Sequence, residues 1–196
     1  HILWIRSSEN LDKSDFKSAW QAFQYLVDYR NWMAVLDYLV QDFKGVPWLY
    51  LIVVAGVVGL LLYQSRFRRN LIALNEQVNR RANVSFEPTF RALLLTLLVA
   101  APFPLLLVYL GMRLRGAGNE LPFVSALGTG LLAGGRFLAS LELLRQISRP
   151  NGLGIGHLHW PKPSTDLLRT HLRWWLDLGI PLVIGIVMFD ELAGSR

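Results

Sequence analysis

The sequence contains no cysteine. That excludes disulfides, thiolate metal sites and thiol catalysis, and leaves the redox compartment undetermined. Histidine is scarce, and the carboxylates (14) are outnumbered by Lys and Arg (20), giving a net charge of +6. His157 and His159 stand two apart beside Trp160, but a metal site needs a third ligand, and no neighbouring Cys or carboxylate supplies one. Interfacial packing of His and Trp is the simpler reading. No Ser, His and Asp set falls inside an apolar run, where an intramembrane hydrolase would need it. The glycines of Gly152, Gly154 and Gly156 lack the strand, spacing and Lys of a nucleotide loop, so they read as flexible-turn glycines. Nothing here points to an enzyme or requires a cofactor.

Charge is also missing over long stretches, and those gaps organise the chain. Ala92 to Met112 is 21 residues without a charge, about 31 Å as a helix, which matches the hydrocarbon core of a bilayer. A soluble helix of that length would carry a polar face. Pro102 and Pro104 fall in its middle, so it reads as one kinked transmembrane helix in a packed bundle. Gly45 to Ser65 is a second uncharged run of 21 residues, with Trp48, Tyr50 and Tyr63 at its ends and Arg66, Arg68 and Arg69 behind it as an inner-leaflet anchor. Leu71 to Val84 then reads as a surface helix, and Glu87 and Pro88 as a turn.

Leu121 to Leu144 is a third span, rich in small residues. Ala126, Gly130 and Gly134 recur every four positions and share one face, allowing another helix to come close. Arg136 lies about 22 Å in from Leu121, within reach of the inner headgroups by snorkelling, with a functional buried charge as the alternative. Glu142 and Arg145 are spaced for a local ion pair. Trp174 to Glu191, about 27 Å long, is a fourth and barely sufficient span. Before the spans, Phe16 to Phe43 repeats Trp20, Phe23, Val27, Trp32, Val35, Leu36, Leu39, Val40 and Phe43 at helical spacing. Interrupting charges make this one broken or two short amphipathic helices at the membrane surface or packed on neighbouring spans, or else an ordinary soluble helical hairpin. Ser14 and Asp15 fit a helix start.

The expected fold is therefore all-α, a polytopic transmembrane helical bundle with amphipathic surface helices. The division falls between residues 1–44 and 45–196, with spans near 46–65, 91–112, 121–144 and 174–191. Arg66 to Arg91 and Arg145 to Arg173 hold six and five Lys and Arg, against two in Arg113 to Glu120. Both rich segments belong on the cytoplasmic side. The basic residues flank apolar runs, which fits a membrane better than nucleic acid. With His1 first and no secretory signal, the chain reads as a piece of something longer.

RPNGLGIGHLHWP carries Arg149, Pro150, Gly152, Leu153, His157 and Trp160. It resembles the Arg-Pro-x-Gly-Leu and His-x-x-Trp run of the large MscS-type mechanosensitive channels of Gram-negative bacteria, the MscK and MscM kind. FRALLLTLLVAAPFPLLLVYLGMRL, with Arg91, Pro102 and Pro104, is similar to a span of that family with its Pro-x-Pro break. FLASLELLRQ, RTHLRWW and the opening HILWIRS are similar as well. The resemblance covers most of residues 45 to 185. It implies that residues 1–44 end a periplasmic region and that the rest is an inner-membrane array surrounded by lipid in a homoheptamer. Such a channel releases ions and small solutes under hypoosmotic stress. The array's part would be to couple tension to a pore that lies elsewhere. A transporter unit would need facing polar groups at mid-depth, and the central run offers only Thr96. A non-catalytic membrane scaffold is the other alternative.

Overall fold

The computed structural model describes residues 24–80, 86–150, 152–156, 158 and 160–194. The readings at HILWIRS, Ser14, Asp15, Trp20, Phe23, His157 and His159 lie outside the described residues. Apart from short turns, the described residues are helical, and none of them forms a strand.

Asp28 breaks the amphipathic region as its charge pattern requires. Its side chain accepts the Arg30 amide at 3.0 Å and caps α1, Tyr29–Gly45. Val35 is buried, while Trp32, Leu36, Val40 and Phe43 stay exposed. Pro47 opens α2, Pro47–Arg80, which runs 34 residues, about 51 Å. As far as Arg80, the surface helix expected as a separate element at Leu71 to Val84 is the end of this helix, because no Gly or Pro falls between Arg66 and Arg80; residues 81–84 lie outside the described residues. Pro47–Leu74 is apolar enough to cross a membrane, and none of its most apolar window is buried.

The central run departs from expectation. It forms two helices, α3 (Phe86–Ala100) and α4 (Pro102–Arg115), bent by 56°. The Ala101 amide still reaches the Leu97 carbonyl and the Leu105 amide the Ala101 carbonyl. Pro102 and Pro104 have no N–H to give Leu98 and Ala100, so two ladder positions fall vacant within one turn. The result is a break where a kink was expected. Only the two arms together have a crossing length.

α5, Pro122–Ile147, is the second helix long enough to cross alone. It is followed by a single turn, α6 (Leu153–Gly156), and by α7 (Lys162–Trp174). A π turn, Trp175–Gly179, leads into α8, Ile180–Gly194. The expected fourth span falls on these last pieces. α7, the π turn and α8 follow one another without a non-helical residue, and α8 by itself has 15 residues, about 22 Å. Two helices can cross by length and composition, or three with the bent pair as one.

Two apolar clusters lie at opposite ends of the bundle. Val35, Leu114, Ala117, Phe123, Val124, Ala126 and Met188 join α1, α4, α5 and α8 beside the 116–121 loop. Leu71, Ala92 and Leu153 join α2, α3 and α6 at the end where Arg68 and Arg149 lie.

Candidate functional site

α5 is the axis of the bundle, and glycines decide what touches it. Residues 128 and 135 are seven apart, and 130 and 134 four apart, so at 100° per residue the two pairs lie on opposite faces. A Cβ on Gly130 would come within 2.7 Å of the Ile184 carbonyl, and one on Gly134 within 2.5 Å of the Ile184 side chain. The face carrying Ala126, Gly130 and Gly134 is thus packed on α8, with Ala126 fully buried near Met188. On the opposite face, a Cβ on Gly128 would collide with the Arg115 backbone, and one on Gly135 would lie 2.8 Å from Val108. Gly111 of α4 faces the Gly128 carbonyl and Leu132 in return. Sequence reasoning missed this second face because it took only the four-residue spacing. The seven-residue recurrence of Gly128 and Gly135, two helical turns, was the available signal.

Pro102 and Pro104 are both buried at the start of α4. The bend thus sits inside the bundle. Thr96, the one polar group in α3's apolar stretch, is 1% exposed and donates to the Ala92 carbonyl at 2.7 Å. That local bond leaves it no reason to seek a partner across the bundle.

A charged knot ties three elements at the α1 end. The Arg113 guanidinium donates through both Nε and Nη2 to Asp42, the Nε bond measuring 2.7 Å. The Tyr50 hydroxyl donates to the same carboxylate at 2.6 Å, and the Tyr38 hydroxyl to the Arg113 carbonyl at 3.3 Å. Tyr109 stacks edge-on to Tyr50 at 5.3 Å. α1, α2 and α4 are thereby joined through one carboxylate. The Arg113 hydrogen bond holds the Asp42 carboxyl below its ordinary range, against the opposing effect of burial. Burial in turn pushes the Tyr38 hydroxyl up. No local pattern announces a pair 71 residues apart.

The basic residues gather at the other end. Arg68, Arg149 and Arg169 line one cavity with Thr96, Gln146 and Gly152. The segments from Arg66 and from Arg145 therefore share an end of the bundle. The three anchor arginines differ from one another. Arg66 stacks on the Tyr63 ring at 5.6 Å and Arg69 bonds the Ser65 carbonyl, whereas Arg68 turns inward. Arg136 is exposed on α5, and Glu142 pairs with Arg145 at 2.7 Å while accepting from Gln146.

The Arg-Pro-x-Gly-Leu run folds against the end of α5. A Cβ on Gly152 would lie 2.6 Å from the Gln146 carbonyl, and one on Gly154 would lie 2.8 Å from that of Ile147. Among the described glycines only Gly118 has positive φ. Gly152 and Gly154 therefore serve close backbone approach, a correction to their reading as flexible-turn glycines. Leu153 is buried against Leu71 and Ala92, and the Trp160 amide returns to the Gly154 carbonyl at 2.9 Å. Pro150 is exposed at the cavity rim.

No solved structure matches the chain. It is 33% identical over 137 residues to the miniconductance mechanosensitive channel MscM of Escherichia coli (strain K12). The alignment takes in 69% of the chain and 12% of that protein. Residues 47–196 match the family described as mechanosensitive ion channel inner membrane domain 1. With its two or three membrane-length helices, the chain belongs to that family and is a transmembrane region of the mechanosensitive channel type.

Proposed function

We propose that this chain is the tension-sensing array of a multi-pass channel in the bacterial inner membrane. The channel assembles as a homoheptamer and releases ions and small solutes under hypoosmotic stress. The observation that carries the reading is the contrast between α2 and α5. The most apolar window of α2 is entirely unburied, while half of that of α5 is buried. Lipid or another copy of the chain can cover α2. Over its apolar window its polar ties inward are Tyr50 to Asp42 and the Gln64 amide to the Val99 carbonyl at 3.2 Å, and its buried apolar contact, Leu71, lies at the arginine end.

Tension favours whichever state occupies more membrane area, and a helix surrounded by lipid can move at little cost in packing. In this reading Ala126, Gly130 and Gly134 let α8 slide on α5, and the Pro102 and Pro104 break lets the arms of the bent pair tilt separately. Arg66 and Arg69 hold α2 at the inner leaflet. A carrier would need unpaired polar groups at mid-depth. Thr96 and Thr129 bond their own helix instead, and the buried unpaired hydroxyl among the described residues, that of Tyr109, lies one turn from Arg113 at the charged knot.

The test is patch recording of the full-length channel with Gly130→Leu and Gly134→Leu. A shifted opening threshold is expected, and an unchanged threshold in a folded variant would remove this face from the gating motion.

A further inference from the structure

The arginine end of the bundle carries more positive charge than its own carboxylates engage. Arg68, Arg149 and Arg169 line a cavity of about 290 Å³ whose inner wall is Leu71, Thr96 and Val99. Arg149 and Arg169 also line a second, larger cleft of about 770 Å³. The second cleft runs between α4, α5 and α7, with Arg145 and Arg173 at its polar end and Phe103, Leu107, Leu138 and Ile180 along its apolar wall. The two spaces meet at the shared arginines.

The charges do not balance within the site. Glu142 is taken by Arg145 and Gln146, and Asp166 pairs with Arg169 at 3.4 Å. Asp177 is the remaining carboxylate on the cleft. Among the described residues, Arg68 and Arg149 have no carboxylate partner, and the buried Nε of Arg68 has no hydrogen-bond acceptor. Burial, with Arg68, Arg145 and Arg169 beside it, disfavours the charged form of the Arg149 guanidinium against the opposing pull of Glu142. An anion among these groups would relieve that repulsion and accept paired N–H bonds from each fork.

We propose that this cleft seats an anionic glycerophospholipid, its headgroup phosphate between Arg68, Arg149 and Arg169 and an acyl chain along Phe103, Leu107 and Leu138. Free phosphate would satisfy the arginines alone. The contiguous apolar wall favours a ligand with a tail, and basic pockets between membrane helices take such headgroups. The proposal needs only that the helices lie in a bilayer. It does not depend on the gating role.

Native mass spectrometry of the full-length protein, titrated with phosphatidylglycerol and phosphatidylcholine, tests it. The wild type should hold phosphatidylglycerol about tenfold more tightly. Arg68→Gln with Arg149→Gln should remove the preference, and Arg115→Gln, which alters an exposed side chain at the opposite end of α4 and outside both spaces, should retain it. Arg169 is on an exposed helix face, so Arg169→Gln weakens the preference without threatening the fold and decides the matter if the double variant does not fold. Equal binding of the two lipids by the wild type, or a folded Arg169→Gln protein with full preference, would overturn the proposal. So would displacement of phosphatidylglycerol by millimolar inorganic phosphate, which would make this a free-anion site.

Discussion

Asp42 shows what one side chain does in this bundle. Its carboxylate accepts from Arg113 and Tyr50 and is 14% exposed, against 28% for the Arg113 side chain. Asp42→Asn keeps the shape but discharges the pair, so it should cost about 1.5–3 kcal/mol. Tyr50→Phe removes one neutral donor and should cost about 1 kcal/mol. Thermal unfolding of the full-length protein in detergent measures both. The pH dependence follows from the lowered Asp42 pKa. The contribution of this group is complete above the ordinary value of 3.8 and is lost as pH falls through the depressed folded value. The gap between wild type and Asp42→Asn should thus be constant from neutral pH to about 5 and close only in stronger acid. Closure between pH 5 and 7 would mean that another group governs the knot. By contrast, Arg91 and Glu87 have side chains 65% and 71% exposed, and such a pair adds little.

At the scale of elements, glycine decides which helices touch, and the cost of adding a methyl group differs by site. At Gly128 and Gly130 the added Cβ meets backbone of the neighbouring helix, which no rotamer change relieves. Gly128→Ala and Gly130→Ala should each cost about 1–3 kcal/mol. At Gly134 the obstacle is Cγ1 of Ile184, the near end of a β-branched side chain that is stiff in a helix, so Gly134→Ala should cost a similar amount. A Cβ on Gly56 or Gly59 would meet nothing within 4 Å. Alanine there should be neutral or stabilising by up to about 1 kcal/mol, through helix propensity alone. Melting temperatures of the five variants give the order directly. A destabilising alanine at Gly56 or Gly59 would show that a copy of the chain covers α2. Composition alone cannot separate these glycines, because each is a small residue in an apolar helix and only the neighbour's position distinguishes them.

For the whole molecule, the joining of Arg68 and Arg149 in one cavity gives a direct test of topology. These 196 residues contain no cysteine, so none of them adds background to labelling. Arg68→Cys and Arg149→Cys should react with a membrane-impermeant maleimide from one side, and Gly118→Cys, at the opposite end of α4 and α5, from the other. Labelling of Arg68→Cys and Arg149→Cys from different sides would contradict the arrangement of the bundle.

Uncharged runs of membrane length are written directly in the residues, because lipid penalises charge wherever the neighbours sit. So are the bend at Pro102 and Pro104 and the Glu142–Arg145 pair, which act within one or two turns. The number of crossing helices was less legible, since a 56° bend and a π turn alter the length that a run of apolar letters suggests. The Asp42–Arg113 knot, the second glycine face at Gly128 and Gly135, and the meeting of Arg68 with Arg149 and Arg169 were decided only by the tertiary structure. Each joins residues distant in sequence, and such a contact exists only once the helices between them have chosen their faces.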